Sequence, residues 1–214
     1  MIIAIDGPAG TGKSTIAKML ADRHDITFLN SGGFYRTHTL AVLDAGIDYK
    51  DEAATLEFCR KQKIEYTKEG HFILNGTDVT AHLHDDRVTN NASQVSAIVE
   101  IRHLVNDFMR EITKSLDIVC EGRDMTTVVF PNAEYKFYLD ASIEAQAMRR
   151  FKQGVSNMSL DEIKAAIKKR DEMDKNKAEG SLKIADDAVY IDTSDLTINE
   201  VCAIIENKIN SKGF

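Results

Sequence analysis

Apolar residues follow two patterns along this chain: short continuous runs, and longer stretches in which they recur with helical periodicity. The runs predict buried strands at 2–6, 26–29, 117–121, 134–139 and 187–191. Helical periodicity is clear at 98–112 and continues over 142–153 and 159–177. Such alternation is typical of an α/β fold, so we expect a central, mostly parallel five-stranded sheet flanked by helices.

One stretch, residues 63–80, interrupts this alternation. It consists of short apolar segments joined by Lys68-Glu69-Gly70 and by Asn75-Gly76, and both of these favour tight turns. We therefore predict a small antiparallel β insert. The expected organisation is a single domain of 214 residues, with its core at 1–62 and 88–214 and the insert at 63–87.

Composition narrows the possible functions. The chain is 43% apolar, which is enough for one well-buried core. Its formal charge of −7 argues against a broad nucleic-acid or membrane surface, because such surfaces need clustered Lys and Arg. Its 3 cysteines have no metal-binding spacing, and no apolar run approaches the length of a membrane span. We expect a cytoplasmic monomer whose anionic ligands are held by a local group of cations.

The strongest motif lies at the start of the chain. Residues 7–14, GPAGTGKS, match the pattern GxxxxGK[ST] directly after the first predicted strand and before a helical pattern. Glycines let successive backbone N–H groups point inward at the positive end of the helix, where they bind phosphate. Lys13 is predicted to reach the β- and γ-phosphates, and the Ser14 hydroxyl is predicted to bind Mg²⁺.

Arginines occur beside glycine turns and at the ends of predicted strands. Arg36 follows Gly32-Gly33, and Arg123 follows Glu121-Gly122. Because ligands of open α/β sheets bind at the carboxyl ends of the strands, these cations are candidates for a second phosphate site. The 159–177 pattern changes from an apolar face to Arg170, Asp174 and Lys177, which indicates either an exposed ion pair or a polar site.

Together these stretches resemble the bacterial cytidylate kinase family, which belongs to the nucleoside-monophosphate kinases with a phosphate-binding loop (P-loop). The resemblance covers nearly the whole chain. It rests on the ordered segments IDGPAGTGKST, NSGGFYR, NNASQVSA followed by Arg102, EGRDMTTVVFP, the RDxxD of 170–174 and DDAVYIDTS. It implies transfer of the γ-phosphoryl group of Mg-ATP to CMP or dCMP. The insert lies where that family carries its monophosphate-binding subdomain.

The resemblance also implies roles for individual residues. Ser31 and Arg36 contact the acceptor nucleotide, Arg123 and Arg170 hold its phosphate, and Asp174 binds its ribose. Ser93, Arg102 and Asp124 read the cytosine, and Lys177 contributes a further acceptor contact. The implied ATP-binding residues are Gly7, Pro8, Ala9, Gly10, Thr11, Gly12, Lys13, Ser14, Thr15 and Arg150. The implied catalytic residues are Lys13, Arg123, Arg149 and Arg170, with Arg149 and Arg150 in a short lid at 149–158.

Three positions depart from the pattern of the family. It usually has Asp where Asn30 stands, Arg where Lys177 stands, and Pro-Leu where Ser181-Leu182 stands. Lys177 keeps the positive charge but cannot grip two oxygens as the planar guanidinium does. Its phosphate contact is therefore the least secure of the implied roles.

Two alternatives share the phosphate-binding loop. The chain could be a kinase of another small molecule, or a nucleotide-binding regulator that has lost turnover. The presence of Lys13, Ser14 and the acceptor-side arginines favours an enzyme. An assay of ADP release with a panel of monophosphates separates these alternatives.

Overall fold

The computed structural model describes residues 1–154 and 158–211. The chain divides into two compact units: Met1–Phe28 with Asp117–Phe214, and Leu29–Leu116. We call them the P-loop unit and the inserted unit. The division into a core and a 63–87 insert stays a prediction, as does the 149–158 lid, of which residues 155–157 lie outside the described part of the chain.

The secondary structure follows the predicted alternation. In chain order the elements are β1 (Ile2–Asp6), α1 (Lys13–His24), β2 (Thr27–Asn30), α2 (Ser31–Asp44), α3 (Glu52–Arg60), β3 (Ile64–Tyr66), β4 (Phe72–Leu74), β5 (Thr77–Asp78), a 3₁₀ turn (Thr80–His82), α4 (Asp86–Val95), α5 (Val99–Ile112), β6 (Ile118–Gly122), a π-helical turn (Met125–Val129), β7 (Tyr135–Asp140), α6 (Ile143–Lys152), α7 (Leu160–Lys175), β8 (Val189–Asp192) and α8 (Ile198–Ser211). Among the described residues, no helix is both long and apolar enough to cross a membrane.

The main sheet has the strand order β2-β6-β1-β7-β8. Strand β1 pairs in parallel with both β6 and β7, and β7 pairs in parallel with β8. The predicted five-stranded, mostly parallel sheet is therefore confirmed, with each strand within two residues of its expected position. Because β1 lies in the middle, the loop that follows Asp6 emerges at the centre of the carboxyl edge of the sheet.

Apolar side chains from strands and helices fill the core of the P-loop unit. Ile3 and Ile5 of β1 and Phe137 of β7 are fully buried, and they share one cluster with Leu20 of α1 and Ile205 of α8. Full burial of one such side chain contributes about 1.5–3 kcal/mol relative to an exposed position. This packing makes the sheet a rigid base for the loop at its edge.

The predicted antiparallel insert is confirmed as the sheet β3-β4-β5 in the inserted unit. It packs on α2 through aromatic rings, and the ring centroids of Phe34 and Phe72 are 4.9 Å apart. A Cβ atom at Gly33 would lie only 2.2 Å from Cζ of Phe72, so only glycine lets this ring approach the helix backbone. The insert is thus anchored to the helix that carries Ser31 and Arg36.

Helix α7 is shorter than its sequence pattern predicts. It begins after Ser159, as expected, where Ser159 and Glu162 form a capping box, but it ends at Lys175 and not at Lys177. The backbone N–H of Leu182 donates to the Asp174 carbonyl at 2.8 Å, so the chain has turned back beside the last helical turn. Lys177 therefore lies beyond the helix and not on its face.

Candidate functional site

The phosphate-binding loop joins β1 to α1 in a shape that requires glycine at its first position. Gly7 has φ +149°, and a Cβ atom there would lie 2.0 Å from the Leu139 carbonyl oxygen of β7. Gly12 precedes α1 and contributes no capping side chain. The first N–H groups of α1 are therefore available to a ligand, and the helix dipole favours an anion there.

Lys13 is buried within this loop and is only 5% exposed. Its Nζ donates to the Pro8 carbonyl at 2.5 Å and to Thr11 Oγ1 at 3.4 Å. Burial, and after it the positive charge of Arg123, lowers the pKa of Lys13 from 10.5 to about 7. Among the described residues, no carboxylate lies within hydrogen-bond distance of the Lys13 ammonium. A bound anion would therefore stabilise the charged form of Lys13.

This environment leads to a prediction about stability. Below about pH 7, Lys13 is charged in the folded and unfolded chains alike, so the cost of burying the charge is fully present. Between pH 7 and 10.5 the unfolded chain binds more protons, so the stability of the parent rises with pH. Lys13→Met should therefore increase the free energy of unfolding relative to the parent, most strongly near neutral pH and progressively less toward pH 10.5.

Denaturant unfolding of parent and variant at about pH 6.5, 8 and 9.5 measures this difference. Lys18→Met is the matched control, because Lys18 lies on the same helix and is exposed. A stability difference for Lys13→Met that does not change with pH would contradict the buried-ammonium interpretation.

Two arginines of the P-loop unit act electrostatically on Lys13. Arg123 follows β6 and Arg170 lies on α7, and the charge of each lowers the pKa of Lys13. The Arg170 side chain is exposed to solvent over part of its surface. Burial of its guanidinium by the surrounding protein, and after it the charge of Arg123, lowers the pKa of Arg170. Mutual repulsion among cations that the fold holds together is relieved when an anion binds between them.

Asp174 organises one side of this group. It is 7% exposed, and its two oxygens accept from Arg123 Nε at 2.8 Å and from Lys177 Nζ at 3.0 Å. Burial alone would raise the pKa of Asp174, but Arg123 and Lys177 together hold it below its usual value. Lys177 thus pairs with the carboxylate although it lies beyond the helix, while its contact with a phosphate stays a prediction.

Two further carboxylates contact the loop itself. The Ser14 hydroxyl donates to Glu121 Oε1 at 3.0 Å, and the Ala9 N–H donates to Asp171 Oδ1 at 3.1 Å. A serine hydroxyl beside a carboxylate supplies the hard oxygen donors that Mg²⁺ prefers. The residues at Ser14 therefore fit the predicted metal. Neither Glu121 nor Asp171 was singled out for this from the sequence.

The two arginines of the predicted lid differ in their surroundings. Arg149 of α6 donates to the side chain of Thr193 at 3.0 Å and also to its carbonyl, and the Thr193 hydroxyl lies 3.3 Å from the Thr11 carbonyl of the loop. Arg150 is exposed, and its guanidinium donates to Gln153 at 3.1 Å. The structure links Arg149 to the loop through Thr193, while the roles of both arginines toward ATP stay predictions.

Four more of the predicted acceptor residues lie in the inserted unit, on three of its helices. Ser31 is the buried first residue of α2, where Asn30 caps the helix by accepting from the Gly33 N–H at 3.2 Å. Asn caps as well as Asp, so this departure from the family costs the helix little. Arg36 donates to the Leu83 carbonyl and to Thr89 Oγ1 at 2.9 and 2.8 Å. Ser93 is exposed on α4.

Arg102 of α5 is the most enclosed of these residues, at 4% exposed. It donates to the Ser96 carbonyl at 3.3 Å, and its guanidinium carbon lies 5.4 Å from the centroid of the Tyr35 ring. A cation over an aromatic face is held in orientation as well as attracted. Arg102 is therefore a fixed donor within its own unit.

One buried carboxylate beside the loop was missed from the sequence. Asp6, at the end of β1, is fully buried and accepts from the N–H groups of Met125 and Thr126 at 2.9 and 2.7 Å. Burial raises its pKa to about 6. The sequence feature that could have identified Asp6 is its position at the carboxyl end of the first predicted strand. Because β1 and β6 are parallel and Asp6 is in register with Gly122, the carboxyl ends of these two strands meet at one edge of the sheet.

A phosphate-binding loop between a central parallel strand and a helix, flanked by cations from neighbouring elements, defines a P-loop nucleotide-binding protein. Comparison with known proteins shows to which family of P-loop proteins the chain belongs. The family model for cytidylate kinase matches residues 3–211. The cytidylate kinases of Borrelia hermsii and Borrelia turicatae are each 42% identical over 99% of this chain, covering 99% and 97% of their own lengths. The chain belongs to the cytidylate kinase family.

Among solved structures, the chain is similar to an uncharacterized protein from Eubacterium ventriosum, with a TM-score of 0.54 and 14% identity over 99% of both chains. At that identity the likeness concerns the fold alone.

Proposed function

We propose that the protein transfers the γ-phosphoryl group of ATP to CMP or dCMP, giving ADP and CDP or dCDP, with Mg²⁺ bound alongside the triphosphate. Membership of the cytidylate kinase family supports the acceptor, and the loop at residues 7–14 supports the triphosphate donor.

The observation that carries this proposal is the electrostatic grouping of Lys13 with Arg123 and Arg170 in the P-loop unit. A protein that only binds or hydrolyses a nucleoside triphosphate needs the loop and its lysine. A second set of arginines, one of them paired to a buried carboxylate, suits a second phosphate group that must approach the first. Phosphoryl transfer between two nucleotides requires this pair of sites.

The proposed roles follow the sequence predictions. Lys13 and the loop amides hold the β- and γ-phosphates, and Arg123 and Arg170 hold the acceptor phosphate. Asp174 orients the ribose, and Arg102 and Asp124 read the base. Ser14 would hold the metal, which when bound neutralises charge on the phosphate oxygens.

No general base is needed for this chemistry. The attacking oxygen belongs to a phosphate that is already ionised at neutral pH, so the protein has to position the groups and neutralise charge. The Lys13 ammonium and the two arginines supply positive charge around the transferred group. Water must be excluded, since it would otherwise hydrolyse ATP.

A coupled assay of ADP release with CMP, dCMP, UMP, AMP and GMP tests the proposal. We expect turnover with CMP and dCMP well above that with the other acceptors. ADP release with none of them would favour a kinase of another small molecule, and binding of ATP without any ADP release would favour a regulator.

A further prediction concerns the insert. If residues 63–80 contribute to the acceptor site, saturating CMP should slow hydrogen exchange of their backbone amides, because a bound ligand suppresses local opening. Exchange measured by mass spectrometry with and without CMP tests this, with α8 of the P-loop unit as the internal reference. Unchanged exchange across 63–80 at saturation would show that the insert takes no part in substrate binding.

A further inference from the structure

The buried carboxylate of Asp6 accepts hydrogen bonds from the turn that follows β6. Asp6 is fully buried. Its Oδ1 accepts from the Met125 N–H at 2.9 Å, and its Oδ2 accepts from the Thr126 N–H at 2.7 Å and from the Thr126 hydroxyl at 2.6 Å. Three donors from two consecutive residues thus converge on one side chain, and hydrogen bonds to an ionised acceptor are the stronger kind.

This turn is an uncommon one. The N–H groups of Val128 and Val129 both donate to the Asp124 carbonyl, at 2.9 and 3.1 Å, and the Phe130 N–H donates to the Met125 carbonyl at 2.8 Å. The last two of these bonds span five residues and form a π-helical turn, which is rare and is often found at functional sites. Asp124 lies at its start and is 3% exposed, directly after Arg123.

We propose that Asp6 is a positioning residue for acceptor recognition: by fixing the first turn of the π-helix, it sets where Asp124 and Arg123 point. This inference rests on the proposed function, which gives Asp124 a contact with the base and Arg123 a contact with the phosphate. The Asp6 carboxylate is itself fully buried, so its proposed effect on the acceptor is indirect. It acts through the two backbone N–H groups that follow Asp124.

Asp6 also has an electrostatic effect on Lys13, since its negative charge favours the lysine ammonium. A change at Asp6 could therefore alter ATP binding and the chemical step without any effect through the turn. The two routes predict different patterns. Loss of charge beside Lys13 affects CMP and UMP equally, whereas a displaced Asp124 changes the preference between them.

Comparison of Asp6→Asn with single substitutions at Thr126 separates these two routes. An asparagine side chain has one acceptor oxygen and one NH₂ group, so it cannot accept from Met125 and Thr126 at both ends. One backbone N–H is then buried without an acceptor. The ratio of kcat/KM for CMP to that for UMP should fall about tenfold, the scale of one lost bond to a charged group.

Thr126→Val removes only the hydroxyl donor and leaves the charge of Asp6 beside Lys13. It should lower the same ratio by about threefold, with the affinity for ATP unchanged. Thr126→Ser keeps the hydroxyl and should keep the ratio. Ile205→Val, in the core at α8, is the control for general destabilisation and should leave the ratio as in the parent.

Hydrogen exchange gives a readout that does not depend on turnover. In Asp6→Asn and Thr126→Val, amides 125–129 should exchange faster than in the parent, while those of β7 should not. Unchanged exchange of amides 125–129 would show that Asp6 does not hold this turn. Faster exchange with an unchanged CMP-to-UMP ratio would show that the turn does not affect acceptor recognition. A parent enzyme without a preference for CMP would contradict the proposed function instead, and hydrogen exchange in the two variants would still show whether Asp6 holds the turn.

Discussion

Lys13→Ala is expected to lower kcat by raising its activation free energy by on the order of 3 kcal/mol, the scale for removing one preorganised charged donor. This corresponds to a loss of about 100-fold or more at saturating ATP and CMP. The expected loss lies in kcat because charge on the transferred phosphoryl oxygens changes as the bond breaks, and Lys13 is the buried cation of the loop.

The surroundings of Lys13 explain why its contribution should be large. Its ammonium is removed from water and contacts the Pro8 carbonyl and the Thr11 hydroxyl, which are neutral acceptors. A cation that has already lost its hydration interacts strongly with a nearby anion and needs little reorganisation when charge develops. The same burial lowers its pKa to about 7, so bound phosphate is expected to restore its full charge.

Steady-state kinetics with both substrates varied measures the effect. Lys18→Ala is the matched control, since Lys18 lies one and a half turns along the same helix and is exposed. Its kcat should stay near that of the parent. If Lys13→Ala has a near-normal kcat and only a raised KM for ATP, Lys13 contributes uniform binding and not transition-state stabilisation.

The elements that the sequence predicted well are those specified by local patterns. Strand β1 has the predicted bounds, because Gly7, directly after its last residue, must begin the loop. Strand β8 begins at Val189 and not at residue 187, because residues 186–187 form a turn in which the Ala188 N–H donates to the Ala185 carbonyl at 2.9 Å. Helix α7 ends early because Leu182 supplies the N–H for the Asp174 carbonyl. Neither of these backbone hydrogen bonds is recorded in the pattern of apolar residues.

The same distinction holds for the candidate site. The loop motif and the spacing of Arg170 and Asp174 pointed to cations and carboxylates that the P-loop unit does bring together. The carboxylate of Asp171 on the Ala9 N–H, and Thr193 between Arg149 and the loop, could not be predicted, because they are side-chain contacts across more than 40 residues of chain. No local periodicity records such contacts.

Discrimination between cytosine and uracil should depend on Arg102 and Asp124. Cytosine presents an amino donor at N4 and acceptors at N3 and O2, whereas uracil presents an acceptor at O4 and a donor at N3. A site for cytosine therefore needs an acceptor for N4 and a donor for N3. Asp124 supplies the carboxylate and Arg102 the guanidinium in the proposed assignment, with Ser93 as a third contact.

Both side chains have the burial that such discrimination requires. Asp124 is 3% exposed and Arg102 is 4% exposed, so neither can turn to bulk water when the base offers the wrong group. With uracil, the carboxylate would meet an acceptor and the guanidinium a donor. Sites built on buried polar pairing reject such an analogue strongly, because the unpaired groups have lost their hydration.

We therefore expect Arg102→Met and Asp124→Ala each to lower kcat/KM for CMP far more than for UMP, narrowing the preference by about 1–3 kcal/mol, the scale of one good base contact. Arg110→Met is the control on the same helix, since Arg110 is exposed and pairs with Asp107 at 3.2 Å. It should leave both values unchanged. The measurement is kcat/KM for CMP and UMP in the parent and the three variants. Equal losses for the two substrates in Arg102→Met and Asp124→Ala would show that these residues only support the site, and that other residues read the cytosine.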